Sequence, residues 1–376
     1  TIWRFWDANR EAMRRLLKQA LEVATRNGLV GMVLHALDGT KIAARVSGRT
    51  AWHREDLLKA LKDVDEAIEQ IGQEIESRGE AEQAEPEYRM PEELQDARRR
   101  RQQIKEALAQ IEQAQTDHLH PADGEARMMR CEGKAKFAYN AQAVVDEQSG
   151  LVVAADATDQ AADSEQLTAM LEQVQQTHGE TARQTVADGG YWNPQQLAEA
   201  EQKDHSVLVC APPQVKGQGE PFHKSQFCYD GKKDVFICPR GQELVFERTK
   251  PARHNKEVRI GVYRCKSHRE CSFRDQCSRD KRGRSIEKGP HHEAVVRQVE
   301  KQRCPQNAET LSKRKHIVEL TFAWVKAHQG FRRWTVSGLE KVRSQWSLLC
   351  LVLNLRKLYR WWAQGELALG AAGPQR

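Results

Sequence analysis

Leu34-His35-Ala36-Leu37-Asp38-Gly39-Thr40-Lys41-Ile42 is an apolar run with a carboxylate at its centre. It reads as two strand-like pieces meeting at Asp38-Gly39. A carboxylate on a buried strand is costly unless it is paired or bound to a cation, so Asp38 stands out from the other acids. Farther along, Phe137, Tyr139, Ala141, Ala143 and Val145 alternate with Lys136, Asn140 and Gln142, the pattern of a half-buried strand. Asp146-Glu147-Gln148-Ser149-Gly150 makes a turn, and Leu151–Ala155 returns as a second strand. Asp163, with Gln166 three residues on, predicts a capped helix whose stripe is Leu167, Met170, Leu171 and Val174. Thr185-Val186-Ala187 is a short strand ending at Asp188-Gly189-Gly190-Tyr191. Asn193-Pro194 opens a further helix, and Ser206–Cys210 gives one more strand. A hairpin followed by strand–helix alternation predicts an α/β fold, a mixed sheet with helices on its faces.

Three segments interrupt or flank this core. Residues 1–28 read as the end of a helical domain, with Phe5, Met13, Leu16, Leu17, Ala20 and Val23 as its stripe and Asn27-Gly28 as its stop. The chain starts at Thr1 rather than Met, which reads as the loss of a natural start. Residues 29–47 begin the sheet, and 48–118 form an inserted antiparallel helical hairpin. Its first seam is Leu57, Leu61, Val64, Ile68, Ile71 and Ile75; its second is Leu94, Ala97, Ile104, Leu108 and Ile111, with the turn at Ser77–Pro91. Residues 119–214 continue the sheet, 215–288 are a Cys-rich insertion, and 289–376 are helices broken near Gly330. The last of these carries a stripe of Leu339, Val342, Trp346, Leu349 and Leu353.

The hydrophobic content of 39% supports at least one large core, and no stretch approaches the roughly twenty apolar residues of a membrane span. The net charge is only +6, but residues 301–360 hold thirteen Lys or Arg against three acids. A basic block on a near-neutral body suggests a polyanion-facing surface; a solvated helix face is the plainer reading. Nine cysteines, an odd count with Cys210 and Cys350 in apolar runs, argue against a secreted disulfide framework and for a reducing cytoplasm.

Among 53 acidic residues, three have telling contexts. Asp38 lies on its apolar strand. Asp188 ends a buried strand and is followed by two glycines that let the chain turn and open a cleft. Glu319 lies on a helix between Ile317, Val318, Leu320 and Phe322, with Lys315 four residues before it and Lys326 seven after, both on its face. That spacing suits a metal-holding carboxylate beside a phosphate backbone, or equally an ordinary helix ion pair.

With Leu37-Asp38-Gly39-Thr40-Lys41-Ile42, Tyr139-Asn140-Ala141-Gln142, Val186-Ala187-Asp188-Gly189-Gly190-Tyr191, Ile317-Val318-Glu319 and the tail Gly330-Phe331-Arg332-Arg333-Trp334, the chain resembles the DDE transposases of bacterial insertion sequences. It looks like the branch with a Cys-containing insertion before the Glu, over about residues 1–362. The resemblance implies an RNase H-like fold, with Asp38, Asp188 and Glu319 as catalytic ligands of two Mg²⁺ ions, for which Mn²⁺ substitutes. It also implies phosphodiester hydrolysis at transposon ends followed by transesterification into target DNA, with double-stranded DNA and a second copy of the chain as partners. Such a protein works in the bacterial cytoplasm, on the nucleoid when bound to DNA. The three carboxylates are expected to converge within a few ångström. The family often has Tyr and Arg seven and four residues before its Glu, where this chain has Ser312 and Lys315; Arg314 is the neighbour placed to substitute.

Lys315, Lys326, Arg314, Arg332 and Arg333 are the expected DNA contacts, with Trp334 stacking on a frayed base. Cys265-x2-His268-x2-Cys271-x5-Cys277, with Cys238-Pro239 upstream, has the residue types of one structural zinc site, Cys228 being a spare candidate; small buried thiols are the alternative. Two other functions fit the same residues: a truncated DNA-binding relic that no longer cuts, and an RNase H-like metal-dependent nuclease that cuts without rejoining.

Overall fold

The computed structural model describes residues 4, 7–79, 92–211, 221–253 and 256–365. Its centre is strand β1, Leu34–Ala43. This is one continuous strand rather than two pieces meeting at Asp38-Gly39, because an antiparallel neighbour pairs it from His35 to Ala43, with Gly39 opposite Gln142. The residues of β2 (Trp52–His53) leave it for the helical hairpin α2 (Arg54–Gly79) and α3 (Glu92–Gln113), and β3 (His118–Leu119) returns. Leu57, Val64, Ile104 and Ile111 of the expected seams bury one another there, together with Ala107 and Leu119. Of the expected turn, residues 80–91 lie outside the described residues, and Ser77–Gly79 belong to α2.

The main sheet then builds around β1. Strands β4 (Arg127–Cys131), β5 (Lys134–Asp146) and β6 (Val152–Thr158) run antiparallel in sequence, and β5 pairs antiparallel with β1. Helix α4 (Leu167–His178) crosses over to β7 (Gln184–Ala187), which lies parallel to β1 on its other side. Helix α5 (Pro194–Gln202) crosses to β8 (Val207–Val209), parallel to β7. The order β6-β5-β1-β7-β8, three antiparallel strands and then two parallel ones, is an RNase H-like arrangement. As predicted, Asn193 caps α5 by accepting from the Gln195 and Gln196 amides.

Strand β5 is buried from Phe137 to Asp146, on both faces, so its alternation does not mark a solvent side. One face meets α8 (Leu339–Ala363), where Val342, Trp346, Cys350, Leu351 and Leu353 are buried. Helix α1 (Arg10–Arg26) packs on the same core through Leu17, Leu21 and Ala24. Its expected stripe is rotated: Leu16 and Val23 are exposed, and Phe5 lies outside the described residues.

Both edges of the sheet are closed by buried amide side chains. On β8, Gln298 from α6 (His292–Arg303) accepts from the Val209 amide at 3.4 Å and donates to the Val207 carbonyl at 2.9 Å. On β6, Asn354 accepts from the Val152 amide at 2.9 Å and donates back to its carbonyl at 2.8 Å. Such side chains satisfy edge groups that would otherwise template pairing with another chain. Between β8 and α6 stands a second sheet, ordered β13-β12-β11-β10-β9: β9 (Cys228–Asp230), β10 (Val235–Ile237), β11 (Glu243–Pro251), β12 (Arg259–Cys265) and β13 (Ser285–Lys288). Helix α7, Pro305–Ala323, follows α6 and packs back onto the main sheet. Among the described residues no helix is long and apolar enough to cross a membrane.

His35, on β1, is fully buried beside the Asp146 carboxylate, 3.6 Å from its Nε2. Burial lowers its pKa from 6.5 to about 4, against the pull of Asp146. A base with a depressed folded pKa stabilises fully above its unfolded value, and that contribution fades as pH falls from 6.5 toward 4. Urea denaturation should therefore show stability falling by up to about 3 kcal/mol over that window. His35→Gln should flatten the slope; an unchanged slope would mean that another group carries it.

Candidate active site

Two carboxylates leave neighbouring strands side by side. The parallel register sets Leu37 beside Ala187, so Asp38 and the residue just after β7, Asp188, come off adjacent parallel strands. Asp188 is held at the turn by its own Oδ1, which accepts the Gly190 amide at 2.8 Å. Asp38 Oδ1 accepts the Gly39 amide at 2.8 Å, and its Oδ2 takes the Arg314 guanidinium at 2.5 Å. Burial raises the Asp38 pKa above the usual carboxylate range; Arg314 and the Gly39 amide pull it down, and the charge on Asp188 pushes it up.

Behind these two acids sits a third that the sequence reading misplaced. Asp163 does not cap α4, whose N-cap is Gln166 with no side-chain hydrogen bond. Its carboxylate turns into the sheet, where Oδ1 accepts from Asn140 at 2.7 Å and Gln142 at 2.8 Å, and Oδ2 from Lys41 at 2.8 Å. Asn140 and Gln142 are fully buried, so Asp163 supplies the partner their amides need. Gln142 in turn accepts the hydroxyl of buried Tyr191, whose pKa is raised well above 10 first by burial and then by Asp163, Asp38 and Asp188. Asp188 Oδ1 and Asp163 Oδ2 both lie within 3.4 Å of the point where a Gly190 Cβ would stand. The only prior signal for this network was two polar residues, Asn140 and Gln142, on a strand of high apolar content.

Glu319 lies on α7, the helix that supplies Arg314. Val318, Thr321 and Phe322 face the sheet, and Glu319 is on the exposed flank beside that face, with exposed Lys315 on the same side. Glu319 makes no hydrogen bond or ion pair with the aspartates among the described residues. Nor, among those residues, do three His, Cys, Asp or Glu side chains stand at the spacing of a bound ion. The structure thus brings Asp38, Asp188 and Arg314 together and leaves Glu319 at the rim.

The helix widens into a π turn at Trp324–His328, which shifts the phase of Lys326 relative to Glu319. Half-buried Lys326 donates to the Lys41 carbonyl at 3.4 Å, and burial lowers its pKa. Arg332 and Arg333 are exposed, Arg332 reaching Glu132 at 3.5 Å. Trp334 is a correction: it is 1% exposed and donates its indole N–H to the Ile42 carbonyl at 3.1 Å, so it is core and stacks on no base. Trp346, in the expected stripe of the last helix, is fully buried.

An RNase H-like sheet with one carboxylate inside its central strand and another just after the adjacent parallel strand defines the class of this domain. Residues 237–359 match a family model described as the transposase DDE domain. The match covers about a third of the chain and supports a transposase function in general. The match spans β11, β12 and β13 of the second sheet, α6, α7 and most of α8, and so includes Glu319 but neither aspartate. No curated protein sequence matches the chain.

Gly39 is the position on which the Asp163 network turns. A Cβ there would lie 2.4 Å from Gln142 Nε2 and 2.7 Å from Asp163 Oδ1. Gly39→Ala should cost about 1–3 kcal/mol in urea denaturation, the usual penalty of overpacking. An unaffected Gly39→Ala would show that the network does not depend on that missing side chain.

Proposed function

We propose that the chain is the catalytic part of a bacterial insertion-sequence transposase. It cleaves double-stranded DNA at the ends of its element and joins the freed 3′-hydroxyl to target DNA. The observation that supports this reading is the pair Asp38 and Asp188 on adjacent parallel strands, with Arg314 delivered to Asp38 by the helix that bears Glu319. The donor chemistry fits a divalent cation: two hard carboxylate oxygen sets in each other's field, one of them with raised proton affinity despite an Arg partner. Asp38, Asp188 and Glu319 are the residues that would hold Mg²⁺, or Mn²⁺ in its place. When bound, such ions supply an activated oxygen nucleophile and neutralise the leaving oxygen.

The chain's own groups have distinct tasks in this scheme. Arg314 balances Asp38 until the carboxylate takes another partner, and its planar guanidinium then suits a phosphate in the same cleft. Asp163 fixes Lys41, Asn140 and Gln142, and so holds β1 rigid beneath Asp38. Lys315, Lys326, Arg332 and Arg333 neutralise backbone phosphates on the flank beside Glu319. Two copies of the chain act together, one on each end of the element.

The test is cleavage of supercoiled plasmid DNA by the full chain in Mg²⁺ or Mn²⁺, with binding followed separately by gel shift. Nicking is expected, and Asp38→Asn, Asp188→Asn and Glu319→Gln should each lower it at least about a hundredfold while DNA binding persists. Arg332→Ala with Arg333→Ala should weaken binding and reduce its salt dependence. Undiminished nicking by Glu319→Gln would remove that residue from the site. A wild-type chain that binds but never cuts is the non-catalytic reading, which the Arg314–Asp38 pair favours; cutting without joined products is the nuclease reading.

A further inference from the structure

The second sheet is a small module with a small core. Phe227, Phe236, Leu244, Tyr263, Cys265 and Ile286 are its buried cluster, with Tyr229, Cys238 and Cys277 packed against them. A five-stranded sheet around so few apolar side chains would gain stability from a further cross-link. All nine cysteines are free thiols, so no disulfide supplies it.

Four of the thiols occupy one end of this sheet. Cys238 follows the last residue of β10, and its amide donates to the Gln242 carbonyl at 2.9 Å. Two residues beyond Gln242, Leu244 pairs with Cys265, the last residue of β12. Cys238 and Cys265 therefore end neighbouring ladders on the same edge. Cys238 begins a tight turn whose amides point at sulfur: its Sγ accepts the Arg240 and Gln242 amides at 3.4 and 3.3 Å. Amides aimed at a sulfur stabilise the thiolate form, which is the form that binds metal.

Cys271 and Cys277 lie in the loop that follows Cys265, where a single turn Arg274–Cys277 is closed by the Cys277 amide on the Phe273 carbonyl. The Arg240 guanidinium stacks over the Phe273 ring at 4.1 Å, which pins the Cys238 turn to that loop. Cys265 belongs to the buried cluster of this module, and Cys238 and Cys277 both pack against that cluster. His268 turns its Nε2 to the Lys281 carbonyl at 3.0 Å and packs its ring on Gly283, while its buried Nδ1 has no hydrogen-bond partner among the described residues, which makes it the rival of a fourth thiolate. Cys228 pairs with Ile237 in the ladder and is exposed.

We propose that Cys238, Cys265, Cys271 and Cys277 bind one zinc ion as a closed four-thiolate site that staples the second sheet, with His268 and Cys228 outside the ligand set. Among the described residues the sulfurs are not at ligand spacing, so the site must close on the ion as it binds. Four protein ligands leave no open position, so the site is structural and independent of the reaction proposed for the main sheet.

The test is metal analysis of the full chain purified under reducing conditions, followed by exchange of the metal for Co²⁺. About one zinc per chain is expected, and the Co²⁺ form should show thiolate charge-transfer absorption with the intensity of four sulfur ligands. Cys238→Ser, Cys265→Ser, Cys271→Ser and Cys277→Ser should each lose the metal, whereas His268→Gln and Cys228→Ser should keep it. A wild-type chain that holds less than about one-tenth of a zinc and takes up no Co²⁺ overturns the proposal. So does a three-sulfur spectrum with loss of metal in His268→Gln. The wild-type spectrum decides the matter even if a Cys variant fails to fold.

Discussion

A carboxylate on the central strand of a sheet covered on both faces is unfavourable unless something answers its charge. Here Arg314 does so, from a helix that arrives 276 residues later in the chain. That pair ties the fold together, since β1 and α7 must both be in place before Asp38 is tolerable. Strand β7 adds a second negative group beside it through parallel pairing alone. Burial and Asp188 raise the proton affinity of Asp38 while Arg314 lowers it, which leaves the carboxylate responsive to whatever cation enters the cleft. Stability is held back at this place, as is usual where a site must bind something.

The rest of the sheet keeps that place rigid. Gln298 and Asn354 seal the two edge strands with paired amide contacts, and Asp163 locks Lys41, Asn140 and Gln142 beneath β1. The absence of a side chain at Gly39 gives the Asp163 carboxylate its room. The helical hairpin and the second sheet have their own clusters of buried side chains, separate from the main core. Both are attached to the sheet without contributing to its interior.

Much of this was legible in the sequence because short apolar runs and helical spacing report burial directly. Strands β5, β7 and β8, the seams of α2 and α3, and the Asn193 cap all follow from local patterns. What local patterns missed was two-sided burial. Asn140 and Gln142 looked like the wet side of β5, but Asp163 and Tyr191 wait for them on the covered face. Trp334 looked free to stack because it follows Arg332 and Arg333, yet it fills the core against Ile42 and Trp346. Asp38 and Asp188 were picked out by their strand contexts, and the register does place them side by side. The context of Glu319 fixed its helix but not the direction of its carboxylate, since a helix flank next to a buried face is compatible with either.

The most direct measurement is a Mn²⁺-soaked crystal read by anomalous scattering. The proposed account predicts manganese bridging the carboxylates of Asp38 and Asp188, with Arg314 withdrawn from Asp38 and Glu319 turned inward to the ion. Manganese absent from that pair, with Arg314 still bonded to Asp38 at a saturating concentration of the ion, would contradict it.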